Sequence, residues 1–232
     1  MKKMHQRSTR KKTIFRNIGI LLVIAIIAVV VIIIHNKSIR LTLDSATAYN
    51  QRGLDYYNKG DLDNAISNFN QAIQLNPNLA EAYSNRGSAY LSKDNLDQAI
   101  SDFDQAIHIN PNYAEAFYSR GKVYADNGYL DRAISDYDQA ILLKHDYIEA
   151  YNNRGSAYAN KGDLDQAIND WNHAILLNPD AAMTYFNLGQ AYTYKGETEN
   201  AIADLKKALD LCGSNAQLCE LAYQKLQDLG VK

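Results

Sequence analysis

Residues 80–113 read AEAYSNRGSAYLSKDNLDQAISDFDQAIHINPNY, and residues 114–147 read AEAFYSRGKVYADNGYLDRAISDYDQAILLKHDY. Aligned without a gap, the two blocks carry the same residue type at the positions that a packed helix pair would need. The pattern extends in both directions: Gly53, Gly87, Gly121, Gly155 and Gly189 are each 34 residues apart. A fixed period of this length is the mark of stacked supersecondary units, and it has to be recognised before any motif is read. With that glycine at position eight, the units are 46–79, 80–113, 114–147, 148–181 and 182–215, with no insertion in any of them.

Position four is aromatic throughout (Tyr49, Tyr83, Phe117, Tyr151, Tyr185), and position eleven is always Tyr (Tyr56, Tyr90, Tyr124, Tyr158, Tyr192). Positions twenty and twenty-seven are Ala in every unit, while position twenty-four is large (Phe69, Phe103, Tyr137, Trp171, Leu205). Spacings of four, seven and eight follow a 3.6-residue period, so each unit is read as two amphipathic helices. Gly60, Gly128, Gly162 and Gly196, with Asp94 in the second unit, divide the pair, and Pro77, Pro111 and Pro179 mark the exit. Asn78 with Glu81, Asn112 with Glu115, and Asp146 with Glu149 have capping-box spacing, which accounts for the Glu row as helix starts. Asp63, Asp97, Asp131 and Asp165 fall in the first turn of the second helix, where its dipole favours negative charge.

These residues resemble the tetratricopeptide repeat family over 46–215. The resemblance implies an all-α, right-handed α-solenoid of five helix pairs. The fifth unit drifts at Leu188, Thr198, Leu205 and Gly213, as a terminal repeat does, and 216–232 supply a capping helix with Leu218, Leu221, Ala222, Leu226 and Leu229 on one face.

Upstream, Ile18 to Ile34 is an unbroken apolar run of 17 residues, extended past Arg16 by Ile14 and Phe15. Residues 14–34 are read as one transmembrane helix, following a basic segment 1–13 and followed by a linker 35–45. A cleaved signal peptide is the rival, but the nearest small-residue pattern, Ala46-Thr47-Ala48, comes too late. Seven basic residues precede Ile18, while only Lys37 and Arg40 follow the run closely. That bias keeps the N-terminus cytoplasmic and places the repeats on the extracytoplasmic side, periplasmic or external in a bacterium. The remaining 17 basic residues face 26 acids, a net charge of about −9 that disfavours nucleic acid as a ligand.

No catalytic constellation emerges. His5, His35, His108, His145 and His173 occupy unrelated repeat positions, none at metal-ligand or triad spacing, so no metal, cofactor or small-molecule substrate is expected. Arg52, Arg86, Arg120 and Arg154 form a row at position seven. Three have an Asp sixteen residues later (Asp102, Asp136, Asp170), so an ion-paired ladder explains the row better than a phosphate grip; Arg52 faces Asn68 instead.

For ligand binding, the resemblance implies the concave face made by first-helix positions two, five, nine, twelve and thirteen, and hence a protein or peptide partner. Carried over residue by residue, that face includes Asn50, Leu54 and Tyr57, then Ser84, Ser88 and Leu91, then Tyr118 and Lys122, then Asn152 and Ser156, and finally Phe186, Gln190 and Tyr194. The aromatics Tyr57, Tyr118, Phe186 and Tyr194 are the expected anchors. The Lys and Asn clamp by which related repeats hold C-terminal carboxylates of chaperones is missing, with Met183 and Asn187 at two of its positions. That argues against the alternative, a cytosol-facing receptor or co-chaperone. Cys212 and Cys219 bracket the turn before the capping helix; in an oxidising compartment they would bridge, and otherwise they are two half-buried thiols.

Overall fold

The computed structural model describes the backbone of residues 2–231 and the side chains of residues 27–231. Among the described residues all regular structure is helical: α1 (Lys2–Asn58), α2 (Leu62–Leu75), α3 (Ala80–Ser92), α4 (Leu96–Ile109), α5 (Ala114–Asp126), α6 (Leu130–Leu143), α7 (Ile148–Asn160), α8 (Leu164–Leu177), α9 (Ala182–Lys195), α10 (Thr198–Leu211) and α11 (Ala216–Asp228). Each helix packs on its neighbours in sequence, and first helices also touch the first helix of the next unit. Such nearest-neighbour contact is what makes a solenoid quasi-one-dimensional.

Position eight decides how closely a pair can approach. A Cβ added at Gly53 would lie 2.5 Å from the Phe69 ring, and one at Gly155 would lie 2.8 Å from the Trp171 indole nitrogen. The missing side chain is therefore the seat of the large residue at position twenty-four, with the buried alanines of positions twenty and twenty-seven on either side. Between the helices, Gly60 and its equivalents take φ near +77°, and Asp94 takes φ 59° in the second unit. Asp tolerates that left-handed conformation as a single residue, which is why the unit survives without its glycine.

The Arg row forms the expected ladder and more. Arg120 donates from Nε and Nη2 to the Asp136 carboxylate at 2.8 and 2.7 Å, and from Nη1 to Asp104 at 2.5 Å. Arg86 repeats this with Asp102 and Asn70, and Arg154 with Asp170 and Asp138. Each guanidinium thus ties the second helix of its own unit to the second helix of the unit before. It also lies over the position-four ring, 5.7 Å from the Phe117 centroid in the case of Arg120. A second ladder, not foreseen, pairs Lys93 with Asp63, Lys161 with Asp131, and Lys195 with Asp165 across successive units.

One expectation is corrected. The capping boxes do not form: the residues before the first helices are Leu79, Tyr113 and Tyr147, without a side-chain cap. The amide of Asn78 donates instead to Asn76 Oδ1 at 3.1 Å, and Asn112 does the same to Asn110, so the side-chain oxygen that shapes the entry lies before the proline. Glu81, Glu115 and Glu149 are left exposed. Residues 35–45, read as the linker, are helical and part of α1, so their reach is about 1.5 Å per residue. The capping segment forms α11, which covers the end of the array with Leu218, Ala222 and Leu226. Ala216 lies 34 residues after Ala182, so α11 keeps the register of the first helices. Its position eight is Tyr223, where a second helix would need glycine.

The apolar run assigned to a membrane, 14–34, falls largely on residues whose side chains lie outside the described residues. Among the described residues no helix is long and apolar enough to cross a membrane.

Candidate functional site on the concave face

First-helix positions nine, twelve and thirteen meet in two clefts, one near each end of the array. Tyr57, Ser88, Leu91, Tyr118 and Lys122 line the first, of about 570 Å³, together with Asp94 and Asp126. Ser156, Gln190 and Tyr194 line the second, of about 620 Å³, with Asn160, Asn187 and Trp171. Both lie in the size range of ligand sites.

The stacking of units sets these side chains. In the first cleft the Tyr57 hydroxyl meets Ser92 Oγ at 3.1 Å, and Tyr118 packs against Tyr147 with centroids 4.9 Å apart while its hydroxyl accepts from Asn153 Nδ2 at 3.1 Å. Burial pushes the Tyr118 phenol above its usual pKa, so it stays protonated through the physiological range. Lys122 is exposed and forms no ion pair among the described residues. In the second cleft Trp171 forms the floor; its indole N–H already donates to the Asn152 carbonyl at 3.2 Å, so it offers carbon surface only. Tyr194 stands at the rim, 79% exposed.

Position five does not contribute as expected. Ser84 is only 5% exposed and Phe186 only 6%, the latter packed beneath α11 with Leu205 and Leu218. Asn50 Oδ1 accepts from Asn85, and Asn152 Oδ1 accepts from Thr184 at 2.9 Å. In these four units position five serves packing and Phe186 is no exposed anchor, whereas Tyr118, at the same position in the third unit, keeps its place in the first cleft. Leu54 is likewise turned toward the Phe69 cluster. Asn160, Asn187 and Trp171 escaped the sequence reading; position thirteen pointed to Asn160, but the position-twenty-four residues read only as core.

No group of His, Cys, Asp or Glu among the described residues could hold a metal ion, and His173 is stacked on Tyr151 with centroids 5.4 Å apart. Beyond the clefts, Cys212 and Cys219 are joined as a disulfide, Cα to Cα 5.5 Å, across the turn between α10 and α11.

Comparison with known proteins places this geometry. A family model described as TPR repeat matches residues 53–94, 87–128, 124–162 and 156–193, and one described as tetratricopeptide repeat matches 182–215. Neither describes an enzyme. No curated protein matches. Among solved structures, MamA is 28% identical with a TM-score of 0.65, covering 71% of this chain and 96% of its own. YrrB, described as a TPR protein with an unusual peptide-binding site, is 25% identical with a TM-score of 0.65, covering 82% and 97%. Pseudomonas aeruginosa PilF shares the fold at 16% identity, with a TM-score of 0.73 and coverage of 81% and 85%.

Proposed function

The chain belongs to the tetratricopeptide repeat family, and from that premise we propose that it is a non-enzymatic scaffold, anchored in a membrane by its N-terminal helix, that holds partner proteins or peptides along its concave face on the extracytoplasmic side. The observation that carries the binding part is the pair of open clefts on that face, each of which keeps side chains that no neighbouring unit engages, Lys122 in the first and Gln190 and Tyr194 in the second. YrrB lends support, since its described peptide-binding site belongs to a chain of the same family and similar length.

Anchoring rests on the apolar run and on what its described end does. Ile27 and Val29 to Ile34 are all about half exposed or more, reaching 62% at Ile34, on the stretch of α1 that precedes the array. Isolated exposed apolar residues are ordinary, but a continuous sleeve of them needs a non-aqueous surround. Orientation rests on the basic residues before the run. The Cys212 to Cys219 bond suits an oxidising compartment.

The test places a single cysteine in the juxtamembrane helix, Asp44→Cys, in a chain also carrying Cys212→Ser and Cys219→Ser, and treats intact cells with a membrane-impermeant maleimide. Labelling before lysis is expected. Protection until lysis would put the array in the cytoplasm. In the same cells, photo-crosslinking residues at 122 and 194 are expected to capture protein; empty crosslinks at both would refute the scaffold reading.

A further inference from the structure

The two clefts differ in charge. The first holds Lys122 among Asp94 and Asp126, whereas the second is lined without a single acid or base, in a chain whose repeats are otherwise rich in both. Its polar groups are amides and hydroxyls. Asn160, Asn187 and Gln190 make no side-chain hydrogen bond among the described residues, whereas Asn50, Asn85, Asn152 and Asn153 on the first helices are each engaged by a neighbouring unit. A primary amide presents one acceptor and two donors, which matches the N–H and C=O of a peptide group. Beside these amides lie the carbon face of Trp171 and the exposed ring of Tyr194, which no packing contact explains.

Resting on the peptide-scaffold reading above, we propose that the cleft between the fourth and fifth repeats selects an uncharged stretch of an extended partner. Asn160, Asn187 and Gln190 engage its main chain, and one apolar or aromatic side chain settles between Trp171 and Tyr194. A charged side chain entering this cleft would give up water without meeting a counter-charge, and that desolvation is the source of selectivity. The charged cleft at the other end of the array then takes whatever ionic residues the partner carries, so a partner is read by polarity along its length.

The test selects short random peptides, displayed on phage, against the full chain in lipid nanodiscs, and measures binding of the enriched peptides by fluorescence anisotropy. Enriched sequences are expected to share an uncharged core, and introducing Glu or Lys within that core is expected to weaken binding about tenfold or more. Gln190→Glu, which keeps shape and adds a charge, and Tyr194→Ala should each weaken binding similarly, while Lys207→Ala, exposed on α10 and outside both clefts, should leave binding unchanged. If peptides bind but tolerate both changes and depend on Lys122 alone, this inference fails and the peptide reading stands. If no peptide is enriched, the peptide reading fails with it. Binding of a neutral oligosaccharide such as maltoheptaose, abolished by Tyr194→Ala and not competed by peptide, would overturn the assignment in favour of a glycan.

Discussion

Two residues show how the repeat is enforced atom by atom. Gly53 is helical and gains nothing from glycine's freedom, yet its Cβ position is already filled by the Phe69 ring. Helix propensity alone would favour Ala by about 1 kcal/mol, but overpacking of this kind costs about 1–3 kcal/mol. Gly53→Ala is therefore expected to lower stability in urea denaturation, and Gly53→Ala combined with Phe69→Leu should recover part of the loss. An Ala variant as stable as the parent would mean that the ring has room to move. At the other end of the array Leu188, 1% exposed, stands where the ladder has Arg, and Asp204 keeps the ladder's acid without a guanidinium. Burial pushes its carboxyl up to about 6. A carboxyl whose folded pKa exceeds its unfolded value near 4 binds its proton more tightly in the fold, so stability rises as pH falls from about 6 toward 4 and is reduced above that window. Asp204→Asn is thus expected to raise the thermal midpoint at neutral pH and change little at pH near 4; equal effects at both would contradict a buried, unpaired carboxyl.

At the scale of the element, each Arg is a joint between three helices. Arg120 on α5 holds Asp104 on α4 and Asp136 on α6, and burial raises the Asp136 pKa more than Arg120 lowers it. The pair therefore contributes little net energy, but removing one partner leaves a buried charge. Arg120→Ala should cost about 3–5 kcal/mol, while Arg120→Met with Asp136→Leu should cost much less. Calorimetric or denaturant unfolding of the two singles and the double decides it, since additive losses would mean that the charges do not act on each other. Half of this joint was legible in the sequence, because the partner at plus sixteen lies in the same unit as the Arg. The partner at minus sixteen belongs to the unit before and is an Asn in one case, so no pattern within a repeat reveals it. The capping-box reading failed for a related reason: Asn78 and Glu81 have the spacing, but the proline immediately after Asn76 moves the side-chain oxygen upstream and the helix starts at Ala80. The five helix pairs, by contrast, were fully legible, since glycine and ring meet within one unit. In the clefts, Ser88, Lys122, Ser156 and Gln190 at position nine and Tyr57 and Leu91 at position twelve line the walls, whereas position five, apart from Tyr118, is taken up by packing, a contact that depends on how one unit is rotated on the next.

For the molecule as a whole, the decisive feature is that α1 runs without interruption from Lys2 into the first repeat. An extended tether over 35–45 would let the array swing freely, whereas a helix fixes both its distance and the face it turns to whatever holds the N-terminus. The juncture is braced where His35, Ile39 and Leu43 form a hollow with Leu75 at the end of α2. Helical amides in this segment are therefore expected to exchange with deuterium far more slowly than an unstructured chain when the full protein is measured in nanodiscs. Ser38→Pro removes one helical hydrogen bond and clashes with the preceding turn, a local cost of about 3 kcal/mol. Because Ser38 precedes Ala46, the first residue of the first unit, that cost should not propagate along a quasi-one-dimensional array whose units answer only to their neighbours. Ser38→Pro is thus expected to raise exchange across 35–45 while leaving the thermal midpoint of the repeats almost unchanged. Fast exchange there in the unaltered protein would restore the flexible tether, and a fall in the midpoint with Ser38→Pro would show that the stalk is part of the first repeat's own stability.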